Sequence, residues 1–162
     1  MLERKKGLMV GKGQNKWMNV HVSDLSKLYL LLAEAAAGHV ASSSSGPPNA
    51  GKATWNDEGY YFCENGEHLW GDVCKAMAVK GKEMGLLESE EVEEVPAVVA
   101  NAIRPAAAIL WGTNSLCKAR RARELLGWEA KGPGLESTVE EVLEVERKRV
   151  GIGHARWAAG EM

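Results

Sequence analysis

The chain has 162 residues, of which 45% are hydrophobic and 26% are charged, and its formal net charge at pH 7 is -2. This length and composition are typical of one soluble globular domain. They exclude a strong general attraction to nucleic acid or to an anionic membrane, so we expect neither as a partner.

The cysteines and the N-terminus indicate the compartment. Cys63, Cys74 and Cys117 are odd in number and widely separated, so they predict neither a disulfide framework nor a metal site. The N-terminus has basic residues but no apolar segment behind them, and no later window is long enough to span a bilayer. We therefore expect a cytoplasmic protein.

The segment "NVHVSDLSKLYLLLAEAAAG" changes its period partway along. Val20 and Val22 alternate with polar neighbours and predict a short strand, and the leucines that follow recur at helical spacing. Ser23 is the predicted N-cap, and Gly38 can end the helix. Asp24 places a negative charge on the first turn, where the helix dipole favours it.

The segment from Val40 to Lys52 is rich in serine, proline and glycine and predicts a surface loop. Within it, "GPPNAGKAT" has the glycine spacing of a phosphate-binding loop with Lys52 after the second glycine. A working loop of that kind needs a hydroxyl after the lysine and a following helix, whereas this chain has Ala53 and no helix signal. The spacing does not predict a nucleoside triphosphate site.

The second half of the chain is mostly helical by periodicity. In order we predict a strand around Tyr60–Phe62, a turn at Asn65 and Gly66, and a helix from Leu69 to Met84. A solvated acidic stretch up to Pro96 follows, and then a helix through Val98–Ala102. The last two predicted helices are one from Ala119 that Gly127 ends and one on Val139–Leu143 that Ser137 or Thr138 caps. The basic cluster "KARRARE" would face water, which argues against nucleic-acid binding. Residues 151–162 predict a frayed tail.

Three segments together resemble the C-terminal half of the extended short-chain dehydrogenases, the NAD(P)-dependent epimerases, dehydratases and reductases, and fungal members most. They are "GKGQNKWMNVHVSDLSKLYLLLAEAA", "GYYFCENGEHLWGDVCKAMAVKGKEMGLL" and "WGTNSLCKARRARELLGWEAKGPGLESTVEEV". The first is similar to the family's "N-V-H-V-x-D-L" element and the third to its "A-R-x-x-L-G-W" helix end. Leu116 stands where relatives often have arginine, which argues against binding of an anionic group at this position.

The resemblance implies an α/β fold, namely the C-terminal part of a Rossmann-like NAD(P)-binding fold, mostly helical with a few short strands. Residues 1–150 would be the substrate-side portion of one domain. The family's Gly-rich cofactor turn and its catalytic tyrosine with a lysine four residues later have no counterpart here, so we assign no catalytic, cofactor-binding or metal residue. NAD or NADP is implied only for a full-length relative, and the chain alone is expected to be inactive.

By the same resemblance, residues before the "N-V-H-V" element sit beside the substrate. Asn15, Trp17 and Asn19 are therefore candidate substrate-binding residues, with Asn114 a fourth, although Trp17 could equally be packed against the first helix. A small molecule is the expected partner once the missing N-terminal half completes the site.

Two other functions stay open. The first is a non-catalytic helical interaction module or dimerisation domain, which would give a homodimer. The second is new chemistry built from His21, Cys63 or His68, which would require those groups to converge in one pocket.

Overall fold

The structure is a computed structural model that describes residues 1–37 and 52–151. Most of the predicted serine- and proline-rich loop, including the glycine pair of "GPPNAGKAT", lies outside the described residues. So do the predicted helix end at Gly38 and nearly all of the predicted tail.

Helices dominate the described ranges, with short strands between them. In chain order the elements are β1 (Gly7–Val10), β2 (Lys16–Met18), α1 (Val22–Ala36), β3 (Glu67–Leu69), α2 (Trp70–Glu83), β4 (Val92–Val95), α3 (Ala97–Ile103), α4 (Ala107–Gly112), α5 (Arg120–Leu126) and α6 (Val139–Arg149). None of the helices within these ranges is long and apolar enough to cross a lipid bilayer.

The chain divides into two compact units. The first unit comprises Met1–Trp17, His68–Ser115 and the chain from Leu135 onward. In it β1 and β4 pair in parallel, with the register running from Gly7 opposite Val92 to Val10 opposite Val95, and α2 packs on β1. Its core has two clusters of buried residues, one formed by Leu2, Leu86, Val139 and Leu143, and the other by Val95, Ala100 and Ala107. β2 and β3 form a separate two-stranded sheet.

The second unit comprises Met18–Glu67 and Leu116–Gly134. Its core forms where α1 packs on α5, and its buried residues are Leu28, Ala119, Ala122, Leu126 and Trp128. The helical spacing of these apolar residues explains the packing, because each helix presents one apolar face to the other. Gly127 closes α5 in the left-handed conformation, as predicted.

The predicted helices from residue 69 onward are confirmed, but two predicted strands are wrong. Val22 is the first residue of α1, because His21 takes the N-cap position and its ring nitrogen accepts a hydrogen bond from the Ser23 N–H. Ser23 is therefore not the cap. Residues 60–62 form no strand, and the Tyr61 hydroxyl accepts from the backbone N–H of Thr54 and donates to its carbonyl.

The acidic stretch also differs from the prediction that it is only solvated. Its end forms β4, where Val95 is buried and the strand pairs with β1. A strand pairing between residues about 85 positions apart leaves no local sequence signal, which is why both β1 and β4 escaped prediction.

Candidate functional site

Asn15, Trp17 and Asn114, three of the four predicted substrate-binding residues, lie together in the first unit. The Asn15 side-chain amide donates to the Thr113 carbonyl at 3.1 Å, and the Trp17 indole N–H donates to the same oxygen at 2.7 Å. The backbone N–H of Lys16 donates to Asn114 Oδ1 at 2.8 Å. We call Asn15, Trp17 and Asn114 the Asn–Trp cluster.

Two aromatic residues at the start of α2 extend this cluster. The ring of Trp17 meets the ring of Trp70 edge to face, with 5.9 Å between centroids, and His68 meets Trp70 in the same way at 5.2 Å. The Trp70 backbone N–H donates to the Asn15 carbonyl at 3.1 Å, which fixes α2 against the Asn15 segment. Within the first unit, Trp17 therefore packs against Trp70, the first residue of α2.

His68 is buried, with 8% of its surface exposed. Burial lowers the pKa of its imidazole, and the opposing effect of Glu136 does not offset this. At pH 7 the ring is therefore expected to be neutral, so it adds a polar but uncharged group to the aromatic side of the site.

Each asparagine of the cluster has one end of its amide engaged within the chain. Asn15 uses its Nδ2 group and Asn114 uses its Oδ1 atom. Among the described residues, Asn15 Oδ1 is therefore still available to accept a hydrogen bond, and the Asn114 NH₂ group is still available to donate. Asn15 is half-buried and Asn114 is exposed. The cluster thus combines aromatic surface with neutral hydrogen-bonding groups, a combination that suits recognition of an uncharged ligand.

Asn19 belongs to the second unit, whereas the residues of the Asn–Trp cluster belong to the first. Its backbone N–H donates to the Gly66 carbonyl at 3.0 Å, and its carbonyl accepts from the Asn65 N–H at 2.6 Å. These bonds tie Asn19 to the predicted turn, where Gly66 has a positive φ of 102°.

The second unit contains a cavity of about 480 Å³ beside an ion pair whose carboxylate, that of Glu64, is buried. Its lining residues are Asn65, Arg123, Gly127, Trp128, Glu129 and Ala130. The Arg123 guanidinium lies over the Trp128 ring and contacts Glu64 Oε1 at 2.5 Å. Burial alone would raise the pKa of Glu64, but the bonds from Arg123 and from the Ala119 N–H lower it below its usual range.

Asp24 has no exposed surface and accepts hydrogen bonds from another loop of the second unit. The backbone N–H groups of Lys131 and Gly132 donate to its two carboxylate oxygens at 3.0 and 2.7 Å, and Lys27 contacts it at 3.2 Å. Burial would raise the pKa of this carboxyl, yet these donors hold it below its usual range. Asp24 therefore anchors the segment after α5, in addition to lying in the first turn of α1.

Several of these residues were missed or only partly understood from sequence. Glu64 and Trp70 carried no signal, because their partners are distant in the chain. His21 caps α1, as described above. Burial, together with Cys117 and Glu64, raises the pKa of the Cys63 thiol, so this thiol is a weak nucleophile at neutral pH. Within the described ranges, no group of three or more histidine, cysteine or acidic side chains could hold a metal ion.

Comparison with known proteins gives one relative. The chain is 32% identical over 152 residues to the oxidase ucsJ of an Acremonium species, and the match covers 93% of this chain and 42% of that oxidase. The chain thus spans less than half the length of the relative it matches. No family model matches the chain, and no solved structure matches it.

Proposed function

We propose that this chain forms the substrate-side portion of an oxidoreductase. The observation that carries the proposal is the similarity to the Acremonium oxidase, which runs through 93% of the chain. A match of that extent includes both the Asn–Trp cluster and the buried anchors of the second unit. It supports a common architecture for the matched part and, through it, a related reaction class.

The finer proposal is that the enzyme is an NAD(P)-dependent member of the extended short-chain dehydrogenases. Its support is the order of the three motifs quoted above, together with the parallel pairing of β1 and β4 beside α2, an arrangement typical of α/β folds. In this proposal the catalytic tyrosine and lysine and the cofactor turn belong to polypeptide outside these residues.

The described residues do not fit the cofactor themselves. The turn after β1 has two glycines, Gly11 and Gly13, but it leads into β2 and not into a helix that could receive a pyrophosphate. Gly13 serves a packing role instead, because a Cβ there would lie 2.5 Å from the Gly71 Cα. We therefore assign these residues no part in dinucleotide binding.

The role that remains for this chain is to bind and orient a substrate. Trp17 and Trp70 would form an apolar wall, and the free amide ends of Asn15 and Asn114 would fix the orientation of a bound polar group. The cluster contributes no titratable group of its own, so proton transfer would fall to residues elsewhere in the complete enzyme.

A chimera tests this proposal. The stretch of this chain that matches would replace the corresponding segment of the Acremonium oxidase. The product would be assayed with the oxidase's own substrate while NADH or NADPH is followed by absorbance. We expect a folded, active chimera in which Trp17→Ala raises KM several-fold. Trp55→Ala, which removes an exposed tryptophan of the second unit, is the matched control.

The outcomes separate the coarse proposal from the fine one. A folded chimera without any activity would contradict a substrate-side role for the chain. An active chimera that neither binds nor consumes a dinucleotide would retain the oxidoreductase proposal and reject NAD(P) dependence.

The alternative, a non-catalytic interaction or dimerisation module, has one specific observation in its favour: α1 exposes large apolar side chains. A sharp thermal transition of the chain that neither NADH nor NADPH shifts would support this module. A clear upward shift with one dinucleotide would place a cofactor site in the chain and contradict our assignment.

A further inference from the structure

The outer side of α1 is apolar although it is exposed. Val22, Tyr29 and Leu30 are 68%, 67% and 58% exposed, whereas Leu28 on the opposite side is buried in the core of the second unit. A helix that is apolar on more than its core-facing side usually has a partner on the other side as well.

The exposed positions form an uncharged stripe with an internal symmetry. The stripe consists of Val22, Ser26, Tyr29, Leu30 and Ala33 of α1 together with its C-cap Ala37, all of them exposed and spaced as one helix face. Its positions are symmetric about the point midway between residues 29 and 30. If a second α1 runs antiparallel across that point, Val22 meets Ala37, Ser26 meets Ala33 and Tyr29 meets Leu30. Large side chains then face small ones at both ends, and the two central ones pack together.

The charges beside the stripe favour the same arrangement. Lys27 and Glu34 lie seven residues apart on one edge of the stripe, and both are exposed. A two-fold axis in the contact plane keeps this edge on the same side in both copies. Lys27 of one copy then lies about two residues, roughly 3 Å along the axis, from Glu34 of the other. A parallel pairing would instead place this edge on opposite sides of the contact in the two copies, so Lys27 of one copy would not meet Glu34 of the other.

We propose that the chain forms a two-fold symmetric homodimer through this stripe of α1, in antiparallel register about residues 29 and 30. Lys27 can take part because it has two N–H groups beyond the one that it donates to Asp24. The inference deepens the alternative function given above, a dimerisation module, and does not depend on the oxidoreductase proposal.

The interface is small, which sets the expected affinity. Burying Val22, Tyr29 and Leu30 removes on the order of 400 Å² from each copy, about half of what a partner loses in a stable complex. We therefore expect a dimer with a dissociation constant in the micromolar range.

Sedimentation velocity of the full chain, from about 1 to about 300 µM, tests the proposal. We expect a monomer–dimer equilibrium, and Tyr29→Glu should raise the dissociation constant at least tenfold, because it places two carboxylates at the centre of the interface. Tyr60→Glu is the matched control, since Tyr60 is 73% exposed and lies outside α1. A chain that stays monomeric, or a dimer that Tyr29→Glu leaves intact, would overturn the proposal.

The register has its own test. A zero-length carbodiimide cross-link between Lys27 and Glu34 in a mixture of ¹⁴N- and ¹⁵N-labelled chains should appear as a mixed-isotope peptide pair. Mixed pairs that join other residues of α1 but never these two would refute the register. A monomeric chain that binds the unmatched part of the Acremonium oxidase, and loses this binding on Tyr29→Glu, would assign the face to the rest of that fold and also reject the dimer.

Discussion

Replacing Asp24 with asparagine tests whether this carboxylate anchors a loop or only complements a helix dipole. The carboxylate is fully buried and offers one oxygen to the Lys131 N–H and the other to the Gly132 N–H. Asparagine keeps the shape but has a single oxygen, so one of the two backbone N–H groups would face an NH₂ group. Asp24→Asn therefore removes one charge-assisted hydrogen bond and leaves a donor without an acceptor.

The expected cost follows from these contacts. A hydrogen bond to a charged group contributes about 1.5–3 kcal/mol, and an unsatisfied buried donor costs a similar amount when it cannot relax toward water. Lys27 adds little, because about half of its side chain is exposed. We expect Asp24→Asn to lower the free energy of unfolding by about 2–4 kcal/mol at pH 7.

Urea denaturation followed by far-UV circular dichroism measures this change, with Asp72→Asn as the control. Asp72 also lies in the first turn of its helix, α2, but 70% of its side chain is exposed. Both substitutions remove a helix-start charge, and only the first removes a buried acceptor. Equal effects of the two substitutions would refute the anchoring role.

The pH dependence gives a second check on Asp24. Its folded pKa lies below the unfolded value, so its contribution is present above the unfolded pKa and is lost as pH falls through the folded pKa. The difference in stability between the wild type and Asp24→Asn should therefore shrink as the pH is lowered below the usual range of aspartate. A difference that does not shrink at any pH below that range would contradict the ionised carboxylate.

Three further predictions follow from other contacts. Glu64→Gln should lower the free energy of unfolding, measured by urea denaturation, by about 1–3 kcal/mol, because it breaks the ion pair with Arg123. The control Glu129→Gln removes the exposed pair with Lys131 and should lower it by less than about 0.5 kcal/mol, as surface substitutions do. Cys74, whose pKa burial raises to about 11, should react with a thiol reagent at pH 8 far more slowly in the native chain than in urea, as read by peptide mass spectrometry. Gly71→Ala should destabilise the chain by about 1–3 kcal/mol, because the new Cβ would lie 2.9 Å from the Gly13 carbonyl oxygen; an unchanged melting temperature would contradict that close approach.

The sequence was sufficient for helices and insufficient for strands, for a physical reason. A helix is held by bonds between residues four apart, so the spacing of its apolar residues and a terminating Gly127 appear in one short window. A strand is held by a partner that can lie anywhere in the chain. Tyr61 and its neighbours have high strand propensity but form no strand, whereas β4 lies in an acidic stretch and pairs with β1.

The candidate site was predicted in part for a related reason. The resemblance pointed to Asn15, Trp17 and Asn114, and the structure brings these three together through the carbonyl of Thr113 and the backbone of Lys16. Trp70 was missed because its place beside Trp17 depends on the contact between α2 and the Asn15 segment. Asn19 is a near neighbour in sequence, but its backbone is paired with the turn at Gly66 in the second unit.

Two of the motifs behind the resemblance meet at Asp24. The carboxylate in "HVSDL" binds the backbone just after "LGW", and the indole N–H of Trp128 in "LGW" donates to the Asp24 carbonyl at 2.8 Å. Both motifs are thus explained by the packing of the second unit, with no reacting group needed. Similarity in these motifs can therefore persist in a chain whether or not it retains an activity. The discriminating residues are those of the Asn–Trp cluster, whose remaining amide groups are not used by the described fold, and for this reason Trp17→Ala in an active chimera is more informative about function than any change at Asp24.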